Sequence, residues 1–212
     1  MAQNPDKIPV LYVVRHGTTV LNEQHKFRGP ANPPLDKQGF KDANVLAYFF
    51  EPLEVGLIVS SDKLRSVQTS DIIGRKKGIT PIYTEQLHAL DVGELSGKER
   101  NPETENIVHY YTVLYPDIPF PGGETLNDFR RRVDPVILEG IEHGLATGIP
   151  DIISGHSSIV HELGVLLHQD HTRTLVQPGG VAMVYLANGK LQADPIFKPD
   201  LERISKREEV FT

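Results

Sequence analysis

The sequence predicts an α/β fold: a three-layer sandwich with a mostly parallel central sheet, an antiparallel hairpin at one edge and helices on both faces. Three observations carry this expectation. Short apolar runs at residues 8–14, 57–59, 79–83 and 149–153 are separated by longer mixed segments, and strands of that length alternating with helical stretches build parallel sheets. Helical patterns at 37–51, 64–77, 125–144 and 158–169 fill the intervals. Two further apolar runs, 181–186 and 190–197, are separated by little more than Asn188-Gly189, the pair a type I′ turn prefers.

The first strand stops at Arg15-His16-Gly17, with Thr18, Thr19 and Asn22 in turn or cap positions behind it. The second runs into Ser60-Ser61-Asp62, all N-cap candidates for a helix bearing Arg65 in its first turn; Asp62 is the preferred cap. From Leu87 to Gly123 the pattern is irregular, with "SGKERNPE" and "YPDIPFPGGE" expected as loops, so residues 87–123 read as an insertion that shapes substrate binding. Gly122-Gly123 punctuates before the third helix, where Glu124 is a favourable charge at the helix start. Pro135 and Gly140 leave that helix's span open, and Arg130-Arg131-Arg132 on it reads as a solvated face. With no repeat and no break in composition, one domain spanning 1–212 is expected.

Composition narrows the function. With 22 basic and 28 acidic residues the chain carries a net charge of −6, which argues against a nucleic-acid surface. Cysteine is absent, excluding disulfides and thiolate chemistry and fitting a reducing cytoplasm. No apolar run approaches the roughly 20 residues of a membrane span. The expected partners are therefore a small anionic substrate, with no nucleic acid and no membrane; a homodimer is left open.

Positive charge must then be local, and three strand ends supply it. Arg15 and His16 follow the first strand, Arg65 follows the second, and His156 follows the strand at 149–153, all toward the carboxyl edge where open α/β sheets bind ligands. Phosphate is the anion that best suits two guanidinium forks and two imidazoles, with helix N-termini adding backbone donors. In this reading Arg15 neutralises a phosphoryl group and His16 attacks phosphorus in line, while Gly17 permits close backbone approach. His25, His109, His143, His168 and His171 follow no strand end beside an arginine and are read as structural or exposed. His161 lies off the face of His156, and His168 with His171 lacks further ligands, so neither a metal nor any other cofactor is expected.

The stretches "RHGTTVLN", "PPLDKQGFKDA", "VSSDKLRSVQTSDII", "PGGETLNDFRRRV" and "SGHSSIV" also carry a likeness, covering most of residues 8–197. In order and spacing they resemble the histidine phosphatase superfamily, in the branch with phosphoglycerate mutases and small-molecule phosphatases. The resemblance implies that His16 is the phosphohistidine nucleophile and that Arg15, Asn22, Arg65 and His156 form the phosphate pocket, with Ser157 beside them in the substrate-binding set. The implied reaction is hydrolysis of a small phosphomonoester with inorganic phosphate as product.

One departure bears on mechanism. Where the family carries its proton-donating glutamate, this chain reads "LHALDVGELSG" with Ala89. Asp91 and Glu94 are the nearby carboxylates; Asp91, two residues on, would point the same way in an extended loop and is taken as acid and then base. Ser157 occupies the place of the aspartate that another branch puts after its second histidine. Three alternatives remain at this point: a phosphoanion-binding protein in which Ala89 has disabled catalysis, a phosphoglycerate mutase-type phosphotransferase, and a serine esterase. The mutase-type "HERxYGxLxG" surroundings are missing, and "GHSSI" has Ile159 where the G-x-S-x-G elbow needs glycine.

Overall fold

The computed structural model describes residues 7–27, 31–170 and 174–198; His171 lies outside them. Six strands form one sheet in the order β3-β2-β4-β1-β5-β6. They are β1 (Ile8–Arg15), β2 (Ile58–Ser61), β3 (Ile82–Thr84), β4 (Asp151–Gly155), β5 (Val181–Ala187) and β6 (Lys190–Phe197). β1, β4, β2 and β3 run parallel, and β5 joins β1 antiparallel and pairs with β6. Asn188 and Gly189 close that hairpin with φ of 51° and 71°, as a type I′ turn requires. The expected α/β architecture is the observed one.

Helices cover both faces. Along β1, Leu11 and Val13 pack with α5 (Leu126–Thr147) and α6 (Ser157–Leu166), whereas Tyr12 and Val14 pack with α2 (Lys37–Phe50) and α3 (Leu64–Lys77). Successive residues of a strand face opposite ways, so a run apolar at both parities belongs inside three layers. Helix α5 presents Phe129, Val133, Ile137 and Ile141 to the core, the three- and four-residue spacing of one helical face. It also continues through Pro135 for 22 residues, further than expected. A Cβ on Gly144 would fall 2.0 Å from the Val10 carbonyl oxygen, so glycine there lets the helix lie close against β1.

The irregular segment is more ordered than its sequence suggested. It contains α4 (Pro102–His109), continued by a π turn over Tyr110–Leu114, and "NPE", expected as loop, is the helix start. Asn101 accepts from Thr104 N–H at 3.0 Å, Thr104 Oγ1 accepts from Asn101 N–H at 3.0 Å, and Pro102 sits where its missing N–H does no harm. Phe27, Val92, Leu95 and Phe120 give the segment a small core of its own. Other boundaries shift by a few residues. The helix expected over 158–169 spans Ser157–Leu166, because His168 takes a left-handed φ of 52°. The strand expected at 79–83 begins only at Ile82.

Candidate active site

β1 and β4 are parallel neighbours with Arg15 opposite Gly155, so His16 and His156 emerge side by side at the carboxyl edge. Their ring centroids lie 5.4 Å apart at an interplanar angle of 64°, and both side chains are buried. The Nδ1 of His16 lies 2.6 Å from the Gly17 carbonyl oxygen. A carbonyl only accepts, so Nδ1 carries the proton and the ring's lone pair is on Nε2. His156 Nε2 is 3.1 Å from Ser61 Oγ, which links the site to the end of β2.

Gly17 does approach another backbone closely, and that backbone is α2. A Cβ on Gly17 would stand 2.4 Å from Gly39 O, and one on Gly39 would stand 2.1 Å from Thr18 O. The loop is further tied to α3, where Gly17 N–H donates to Thr69 Oγ1 at 3.1 Å and that hydroxyl donates to Arg65 O at 2.8 Å. Thr18 bonds Asp42 through both its N–H and its hydroxyl. Thr19 caps the short α1 (Val20–Glu23), and its N–H and hydroxyl meet Asn22 Oδ1 at 3.1 and 2.9 Å. Asn22 is thus held beside the loop that follows His16.

Arg65 is the largest side chain with no exposed surface among the described residues. Burial pulls its guanidinium down to about 10, because low-dielectric surroundings disfavour the charged form. Its Nη1 donates to Ala31 O at 3.1 Å, while its Nε is buried without a hydrogen-bond partner among the described residues. Arg15 is similar: Nη1 donates to Val176 O at 2.9 Å, and its buried Nε lacks a partner among the described residues. Burial, then the nearby charge of Arg100, draws Arg15 down to about 10. Two cations with buried, uncommitted donors are an arrangement that an anion would stabilise.

A hollow of about 400 Å³ is lined by Arg65 together with Lys63, Glu85, His88, Ala89, Asp91 and Arg132, among others. Asp91 is half-buried there, with Oδ1 accepting from Gly93 N–H at 2.9 Å. Glu94 lines a different hollow with Tyr110, Tyr111 and Pro121. Ser157 opens α6 and is half-buried.

Four side chains have roles other than those expected. Asp62 does not cap α3; it pairs with His88, and the cap of α3 comes from Asn32, whose Oδ1 accepts from Leu64 N–H at 2.7 Å. Glu124 is more than a charge at a helix start: it directly precedes Thr125, the cap of α5, and pairs with Arg132 at 2.6 Å. Of the arginine run only Arg131 is largely exposed: Arg130 pairs with Glu162 at 2.9 Å, and Arg132 lines the hollow. A run of charges in sequence says nothing of faces 100° apart on a helix.

The profile of the histidine phosphatase superfamily (branch 1) matches residues 11–157, which include His16, Arg65, Asp91 and His156. A 2,3-bisphosphoglycerate-dependent phosphoglycerate mutase of Allorhizobium ampelinum is 30% identical over 196 residues, covering 87% of this chain and 90% of that protein. Among solved structures, a phosphoglycerate mutase of Thermus thermophilus superposes with a TM-score of 0.67 at 25% identity, over 89% of this chain and 99% of the other. A mycobacterial glucosyl-3-phosphoglycerate phosphatase with VO3 bound shares the fold at a TM-score of 0.70 and 18% identity, over 90% and 99% of the two chains. With the profile spanning both strand-end histidines, this chain belongs to the histidine phosphatase superfamily.

Proposed function

We propose that the protein is a phosphatase that hydrolyses small phosphomonoesters through a phosphohistidine. The observation that carries this reading is His16: buried beside His156, with Nδ1 bound to the Gly17 carbonyl, it presents its lone pair on Nε2. In the first step Nε2 attacks phosphorus, the ester P–O bond breaks, and Asp91 gives its proton to the leaving oxygen. Water then attacks the phosphohistidine, Asp91 takes its proton, and the P–N bond breaks to release phosphate. Arg15, Arg65 and His156 stabilise charge on the transferring group throughout, with Asn22 and Ser157 adding neutral donors.

Asp91 is preferred to Glu94 as the acid because it shares a hollow with Arg65, which Glu94 does not. A serine esterase is disfavoured. The nucleophile elbow needs a strained turn, and neither His156, with φ −124° and ψ 167°, nor Ser157 has a positive φ. A mutase is the second reading, supported by the names of the sequence relatives. The test is phosphate release from a panel of phosphomonoesters, with rapid-quench trapping of the phosphorylated enzyme. Wild type should release phosphate and form an acid-labile phosphoenzyme, and His16→Ala should do neither. Phosphoenzyme that persists until an acceptor phosphoglycerate is added would favour the mutase, and tight vanadate binding without turnover would favour a binding protein.

A further inference from the structure

Arg132 commits every donor it has to the protein. Nη1 donates to the carbonyls of Gln86 and His88, both at 2.8 Å. Nη2 donates to Ala89 O at 3.0 Å and Glu124 Oε1 at 2.6 Å, and Nε donates to Glu124 Oε2 at 3.1 Å. A guanidinium has five N–H groups, so none remains for a substrate. In this it differs from Arg15 and Arg65, each of which keeps a buried Nε without a partner among the described residues.

Glu124 carries the grip forward to Asp91. Its Oε1 accepts from Asp91 N–H at 2.9 Å, and its own N–H donates to Asp91 O at 3.1 Å. The backbone of Asp91 is therefore bonded on both sides to one residue, and its Oδ1 is held by Gly93. Residues 88–92 belong to no helix or strand, so no ladder of backbone bonds sets their path. The bonds from Arg132 and Glu124 hold it, at the wall of the hollow that Arg65 also lines.

We infer that the Glu124–Arg132 pair is a positioning device for proton transfer. It holds segment 86–91 so that the remaining carboxyl oxygen of Asp91 meets the leaving group. The inference rests on Asp91 as the proton donor and adds the residues that hold it. Positioning matters here because a misplacement of about 1 Å in a reacting group can cost about a hundredfold in rate.

The experiment compares an alkyl ester, β-glycerophosphate, with p-nitrophenyl phosphate, whose leaving group needs little acid help. Arg132→Met should lower kcat on the alkyl ester by roughly tenfold or more, change kcat on the aryl ester less than about threefold, and leave vanadate affinity unaltered. Arg132→Lys, which keeps the charge and loses the fork, should fall between; it carries the comparison if the methionine variant does not fold. The double variant Asp91→Asn/Arg132→Met should be no slower on the alkyl ester than Asp91→Asn alone, because residues acting as a unit are not additive. Equal losses on both esters, weakened vanadate binding, or additive losses would overturn the inference. If Asp91→Asn alone lacks the leaving-group bias, the donor assignment fails; a bias surviving in Arg132→Met then keeps the pair as the holder of another donor in that segment, and its loss removes both.

Discussion

Replacing Arg65 with methionine should leave the empty protein about as stable as before while abolishing its affinity for phosphate. Burial draws the guanidinium down to about 10, a drop from its ordinary value equivalent to roughly 3 kcal/mol against holding the charge. The folded chain binds this proton less tightly than the unfolded chain, so at neutral pH, below both values, that unfavourable term is present in full. Opposing it is the bond from Nη1 to Ala31 O at 3.1 Å, worth about 1.5–3 kcal/mol for a charged donor. The two nearly cancel, and methionine refills much of the stem's volume. In a chain of 212 residues, 1 kcal/mol moves Tm by about 2–4 °C. The Tm of Arg65→Met in phosphate-free buffer should thus lie within about 5 °C of wild type. Vanadate at a hundred times its Kd should add about 2.7 kcal/mol to wild type and nothing to the variant. Thermal melts with and without vanadate read both effects. A variant that melts more than about 10 °C lower yet still responds to vanadate would refute the reasoning, and would make Arg65 a staple for the chain around Ala31 rather than a ligand for the anion.

Asp91→Asn should reduce turnover of an alkyl phosphate by about a hundredfold and leave p-nitrophenyl phosphate much less affected, read by initial rates on the two esters. Gly39→Ala should destabilise by at least about 2 kcal/mol, since the added Cβ would sit 2.1 Å from Thr18 O; denaturant melts measure it, and a neutral result would mean α2 shifts freely from the loop that follows His16. Asn101→Ala should cost about 1 kcal/mol through loss of the α4 cap, seen in the same melts. Burial raises the carboxyl of Asp134, with Arg130 opposing. The folded chain therefore favours its protonated form, and the associated stability is lost as pH rises through the folded value. Asp134→Asn should accordingly gain Tm relative to wild type at pH 7 and lose that advantage below about pH 4, by melts across the range.

The elements that place His16 and His156 were legible because they are local. The apolar run ending at Arg15-His16-Gly17, the run ending before His156, and Asn188-Gly189 each announce a strand end or turn within a few residues, and each is found there. The helix at Pro102 was missed although its signal was present, because Asn101-Pro102 reads equally as a loop dipeptide and as a cap followed by a first-turn proline. Arg132, Glu124 and Asp62 were misread for a different reason. Apart from the Glu124–Arg132 pair itself, eight residues apart, their partners lie 43 or more, 33 and 26 residues away, and sequence spacing carries no information about contacts of that range.

By itself the sequence determined the layered α/β architecture, the chemistry of the residues at its strand ends and the order in which they occur. Periodicity and turn propensity are properties of neighbouring residues, and they need no knowledge of the fold. Only the tertiary structure decided which charges are committed to partners within the protein and which keep buried donors without one among the described residues. Arg132 became fully bonded within the protein, while Arg15 and Arg65 kept buried donors to spare. That distinction depends on which carbonyls and carboxylates packing brings within hydrogen-bond reach.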